Sequence, residues 1–178
     1  MFKKIAMLVV SATLLTFAAQ AQFAATGTTS VTVTVAAEAS LQVNTATTAL
    51  ANTGTIFNAY TGTTNLTYKI RTTKTGGTGT ITLEVTSDFS PANGPSVATP
   101  PTAGDALTYT CTVSAPGTAC TGSLTSSTSA ATSVATFGAN AHSASAGNTG
   151  SVAWSLTDDP TYTTGAYSAT VTYTISTT

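Results

Sequence analysis

From residue 29 to residue 44 the chain reads TSVTVTVAAEASLQVN, with Val31, Val33, Val35, Ala37, Ala39, Leu41 and Val43 all on odd positions. Thr, Ser, Gln and Glu fill most of the even ones. An apolar residue at every second position puts one set of side chains on one face of an extended backbone, which a helix cannot do. The stretch therefore predicts a half-buried β-strand, and a long one, since strands usually run about 3 to 10 residues. It leaves open whose sheet is completed, that of its own domain or that of a neighbouring copy.

The same period recurs downstream. In NLTYKIR, residues 65–71, Leu66, Tyr68 and Ile70 point one way, and in TITLEVT, residues 80–86, Ile81, Leu83 and Val85 do so. Between them lies TTKTGGTG, whose glycines allow positive φ, so the two runs predict a hairpin. A glycine-rich phosphate loop would have to open a helix, and no helical period follows. Residues 89–104 read as a Pro- and Gly-rich connection with Asn93-Gly94 as a turn signal. Leu107, Tyr109, Cys111 and Val113 form the next inward set. Residues 121–150 read mostly as loop, with a short strand at 134–137. Val152, Trp154 and Leu156, then Tyr167, Ala169, Val171, Tyr173 and Ile175, complete the pattern and predict a last hairpin.

Seven or eight such runs, separated by turn signals and with no amphipathic helix, define an all-β chain of two packed antiparallel sheets. An immunoglobulin-like sandwich with Trp154 as a core anchor is the expected form, with a jelly roll or open barrel second. Threonine, 44 of the 178 residues, suits a pleated surface facing water and supplies solubility in place of charge.

Residues 1–21 carry Lys3 and Lys4, an apolar run and a closing Ala19-Gln20-Ala21, the layout of a secretory signal peptide. The expected mature chain, 22–178, is one sandwich domain, secreted to the exterior or cell surface through the periplasm, with no integral membrane span. It keeps Lys69, Arg71 and Lys74 against Glu38, Glu84, Asp88, Asp105, Asp158 and Asp159, a net charge of −3. So few cations cannot neutralise a run of phosphates, which argues against nucleic acid as a partner. In an exported chain the two cysteines, Cys111 and Cys120, separated by a segment with a Pro-Gly turn, predict a disulfide.

No catalytic, cofactor-binding or metal-binding set is legible. His142 is the single histidine, in a loop-like Ala-Asn-Ala-His-Ser-Ala-Ser setting, and no G-x-S-x-G elbow occurs. Asp158 and Asp159 fall short of the roughly 6 to 8 oxygens a calcium ion takes, and read as a charged turn before Pro160. The Lys69, Arg71 and Lys74 patch reads as a device against unwanted edge pairing. Trp154 and most tyrosines share the parity of their aliphatic neighbours, which reads as core more than as a sugar-binding platform.

The leader, the alternating segment near the mature N-terminus, the short-range cysteine pair and the closing GAYSATVTYTI together resemble small exported Thr/Ala-rich immunoglobulin-like proteins of Gram-negative bacteria. More distantly, the chain is similar to pilin-type subunits of the spore coat U class, which join by donor-strand exchange. Their last strand carries a glycine fourteenth from the end, matched by Gly165, and a penultimate aromatic, where this chain has Thr177. The resemblance implies a non-enzymatic surface fibre, pilus or coat subunit, brought out by export machinery and assembling into a homo-oligomer or filament. Val31, Val33 and Val35 of segment 22–37 would be the donated strand. The alternative is a monomeric secreted module that binds carbohydrate or another surface ligand. The two differ in whether the remaining strands close both sheets without residues 29–37.

Overall fold

The computed structural model describes residues 26–178 except 53, 55 and 103. The expected signal peptide 1–21 and the first residues of segment 22–37 lie outside the described residues. The chain divides between Thr34 and Val35 into two units. In the first, residues 26–34 carry no secondary structure.

The second unit, Val35–Thr178, is all β. Seven strands have six residues or more: β1 (Glu38–Val43), β3 (Tyr60–Arg71), β4 (Gly79–Ser90), β5 (Thr108–Val113), β8 (Thr132–Phe137), β9 (Asn148–Leu156) and β10 (Ser168–Thr177). Three have only two: β2 (Ala51–Asn52), β6 (Thr118–Ala119) and β7 (Leu124–Thr125). Sheet A has the order β1-β3-β9-β5-β7, with β2 also on β3, and sheet B the order β10-β4-β8-β6. All pairings are antiparallel. This is the two-sheet antiparallel sandwich that the alternation requires.

The buried face is the one the period of two assigns. Leu66, Tyr68 and Ile70 of β3 and Val152, Trp154 and Leu156 of β9 face Ile81, Leu83 and Val85 of β4 and Val134 and Phe137 of β8. Trp154, 5% exposed, packs its ring 5.5 Å from that of Tyr109 in a tilted pair. Its Nε1 donates to Thr64 Oγ1 at 2.9 Å, and that oxygen lies 2.6 Å from Thr48 Oγ1. Thr64→Ala would leave the buried indole N–H without an acceptor, so a loss of about 1 to 3 kcal/mol is expected in urea unfolding followed by circular dichroism.

The partners differ from the expectations in three places. First, β3 and β4 do not form a hairpin: β3 lies between β1 and β9 in sheet A, and β4 between β10 and β8 in sheet B. Residues 72–78 arch over the core, held where Thr73 N donates to Thr178 O at 3.1 Å and Thr178 N to Thr78 O at 2.8 Å. Gly76, at φ 69°, turns the arch, and a Cβ on Gly77 would collide with the Thr73 backbone. Two amphipathic strands with a core between them bury both faces better than the same strands side by side, and alternation alone cannot distinguish these cases. Second, β9 and β10 likewise lie in opposite sheets and do not pair as a last hairpin. Third, Tyr167 sits before β10, half-buried against Gly94, and donates its hydroxyl to Thr163 O at 2.6 Å, outside the central core.

From β3 to β10 every consecutive strand changes sheet. The two-sheet antiparallel sandwich is the class common to both expected forms.

The bond between Cys111 and Cys120 is formed, with the Cα atoms 5.4 Å apart. Cys111 is in β5 of sheet A and Cys120 follows β6 of sheet B, so the bridge joins the two sheets across the Pro116-Gly117 turn.

Candidate functional site

The alternating stretch is a strand only in its second half. β1 begins at Glu38, opposite Arg71, the last residue of β3. β3 ends there, so among the described residues sheet A offers no strand on which a longer β1 could pair. Arg71 fixes the point of entry: its Nε donates to Ala36 O at 2.8 Å and its Nη2 meets Glu38 Oε2 at 2.7 Å. Upstream, Val31, Val33 and Val35 are 90%, 85% and 61% exposed, and residues 26–37 belong to no strand. Both sheets are complete without them.

The sandwich also has an open flank. Along β10 the inward residues Ala169, Val171, Tyr173 and Ile175 are only half-buried. Across from them on β1, Leu41 is half-buried and Val43 is 41% exposed. The free edges of the sheets are unequal: β6 and β7 offer two residues each, β1 six and β10 ten. The sequence of β10, SATVTYTIST, has no charge, proline or glycine to discourage pairing.

The aspartates gather at the end of the sandwich where β4 leads to β5 and β9 to β10. Asp88 accepts from Ser96 Oγ at 2.6 Å and from the amides of Phe89, Val97 and Ala98 at 2.8, 2.7 and 3.1 Å. Burial pushes its carboxyl up, but these bonds outweigh burial and hold it below the ordinary carboxylate range. Asp159 is drawn down to about 2 by the hydroxyl and amide of Thr161 and the hydroxyl of Thr102. Asp105, 3% exposed, has an Oδ2 with no hydrogen-bond donor. Burial, then the hydrogen bond and charge of Asp159, push its carboxyl up. Nearby, burial and then the charges of Asp105, Asp159 and Asp158 push the Tyr162 hydroxyl up to about 12.

The two carboxyls act on stability with opposite signs. Asp88, lowered in the folded state, stabilises above its unfolded pKa and loses that contribution as pH falls through its folded value. Asp105, raised in the folded state, costs stability as pH rises through its folded value. Asp105→Asn, whose amide can donate to Asp159, should therefore raise the thermal midpoint at pH 7. The gain over the parent protein should shrink as the pH is lowered, and melts across pH 3 to 8 would show it.

The other sequence candidates resolve as follows. Lys69 and Arg71 lie on β3, which is interior to sheet A, so they do not guard an edge as expected; β1 already occupies that side. His142 forms an isolated bridge with Arg71, and its Nδ1 lies 2.9 Å from Asn140 O. Among the described residues no group of three His, Cys, Asp or Glu side chains is placed to hold a metal ion, and no helix is long and apolar enough to cross a membrane. Phe89, Asn93, Pro95, Pro101 and Tyr162 line a cleft of about 450 Å³ at the aspartate end. Asp105 and Thr64 were not singled out by residue pattern, although both share the inward parity of their neighbours, Leu107 and Tyr109 in one case and Leu66 and Tyr68 in the other.

Comparison of the chain with known protein families, curated proteins and solved structures finds no match.

Proposed function

We propose that the protein is a non-enzymatic extracellular structural subunit that self-associates by β-strand addition. The N-terminal segment 22–37 of one copy pairs with the free β10 edge of the next. The observation that carries this reading is that both sheets close without residues 26–37, while the odd-numbered valines of that segment stand in solvent. Exposed alternating strands are normally blunted by charge or proline unless pairing is their purpose, and TSVTVTVAA has neither. Backbone hydrogen bonds supply the affinity, and Val31, Val33 and Val35 cover the half-buried side chains of the open flank and fix register. The chemistry of donor and acceptor matches, both being uncharged and β-branched. The leader expected at 1–21, and with it secretion through export machinery to the cell surface as a fibre, pilus or coat component, belong to the same reading.

A monomeric binding module is the second reading. The cleft beside Phe89 and Tyr162, with Asn93 at its wall, favours it for a carbohydrate or surface ligand.

The test is Val33→Asp. A carboxylate placed in the seam without a partner should cost several kcal/mol and prevent docking. The variant should remain a folded monomer at concentrations where the wild type forms filaments under the electron microscope, and removal of residues 22–37 should do the same. A wild type that stays monomeric at high concentration, with a truncation that unfolds the domain, would transfer the segment to its own sheet and leave the binding module standing.

A further inference from the structure

The charges of the sandwich are separated along its long axis. Asp88, Asp105, Asp158 and Asp159 all lie at the end defined by Tyr60, Leu156, Thr108 and Ser90. Lys69, Arg71 and Lys74 all lie at the opposite end, where Arg71 meets Glu38 and the arch leads into Gly79. The eleven residue steps of β3 from Tyr60 to Arg71 set the ends about 36 Å apart. Arg71 with Glu38 is the ion pair found among the described residues, so Lys69 and Lys74 remain as exposed positive charges at that end. At the other end stand the four aspartates, of which Asp88 and Asp159 are held below the ordinary carboxylate range. Between the ends the strands present threonine, serine and alanine with Glu84 as the one charge. The faces thus give no electrostatic direction to side-by-side packing, while the ends strongly favour opposite ends meeting.

We infer that copies of this chain associate head to tail, the Lys69 and Lys74 end of one against the Asp158 and Asp159 end of the next. This deepens the strand-addition reading and rests on it for the existence of an assembly, but it concerns a different surface. A contact between two unlike surfaces does not close on itself as a two-fold dimer does; it repeats into a filament unless the rotation closes a ring. Ala36 accepts from Arg71 and so lies at the basic end, which puts the C-terminal end of the proposed donor segment 22–37 there. Complementary ends separated by more than a Debye length steer approach and reject the reverse orientation, and they do so less as salt rises.

Two pairs of variants with equal net charge test the inference. Lys69→Gln with Lys74→Gln removes the basic end. Thr63→Glu with Thr110→Glu adds the same two negative charges at exposed threonines of β3 and β5, both level with Ala153 and about 26 Å from the basic end. Sedimentation of each full chain between 20 and 300 mM salt reads the association constant. Loss of two exposed charge contacts should lower it roughly fivefold in the lysine variant and abolish most of its salt dependence, with a smaller change in the threonine variant. Equal weakening in both would mean that net charge, not its placement, governs association, and would overturn the inference; so would association indifferent to salt. The strand reading is tested separately. If Val33→Asp abolishes assembly while the lysine pair leaves it unchanged, head-to-tail steering fails and strand addition stands. If Val33→Asp is harmless and the lysine pair is not, the reverse holds.

Discussion

Trp154→Ala should cost about 3 to 5 kcal/mol, a large share of the roughly 5 to 15 kcal/mol that holds an ordinary domain folded. The ring is central to sheet A, paired through β9 with both β3 and β5, and its removal takes away three things together. One is the apolar burial of the largest side chain in the core. Another is the tilted contact with Tyr109, of a kind worth about 0.5 to 1.5 kcal/mol beyond burial. The third is the bond to Thr64 Oγ1, whose loss leaves a buried hydroxyl with one partner fewer. Urea denaturation read by circular dichroism measures the loss. The wild type reports on the same site directly, because Trp154 is its only tryptophan: its emission should be blue-shifted and should move to the red only through the unfolding transition. Fully red-shifted emission from the native protein would place the indole in water and revive the sugar-platform reading.

Cys111→Ala with Cys120→Ala should cost roughly 2 to 3 kcal/mol, the chain-entropy value for so short a loop. The sequence separation is nine, yet the bridge joins β5 of sheet A to the residue after β6 of sheet B. β6 has only two residues and a single pairing partner, β8, so it depends on the bridge more than a longer strand would. The denaturant midpoint should fall in the double variant, and reduction of the wild type should reproduce the shift. Mass spectrometry of the non-reduced, unfolded protein should find no free thiol.

The faces of the strands were legible in the sequence, and their neighbours were not. A period of two records which side of the backbone meets the core, and Leu66, Ile81, Val152 and Trp154 are buried as their parity requires. It carries nothing about which strand supplies the adjacent hydrogen bonds. Two runs joined by a Gly-rich loop were therefore expected to pair, although the loop from Arg71 to Gly79 spans the core. The end of β1 escaped for a related reason. The alternation continues upstream to Val31, but a strand extends only as far as a partner backbone does, and β3 stops at Arg71. Asp105 was hidden by its setting, since an aspartate after a glycine in a Pro-rich connection looks solvated. Only the parity it shares with Leu107 and Tyr109 marks it as inward. The gathering of all four aspartates at one end follows from chain reversals that no local pattern encodes.

The strict alternation of β3 to β10 between sheets bears on how the molecule acquires its structure. In a meander each new strand can dock on the one just made, so order spreads from a local hairpin. Here a strand finds its hydrogen-bonding partner only after the chain has crossed the core and returned: β4 meets β8 about fifty residues later and β10 about eighty or more. Closing loops of that size before any ladder rewards them places the chain among slow folders, on the millisecond to second scale of all-β sandwiches. During that interval the uncharged sequence of β10 stands without its partner, and the refolding yield is expected to fall as chain concentration rises.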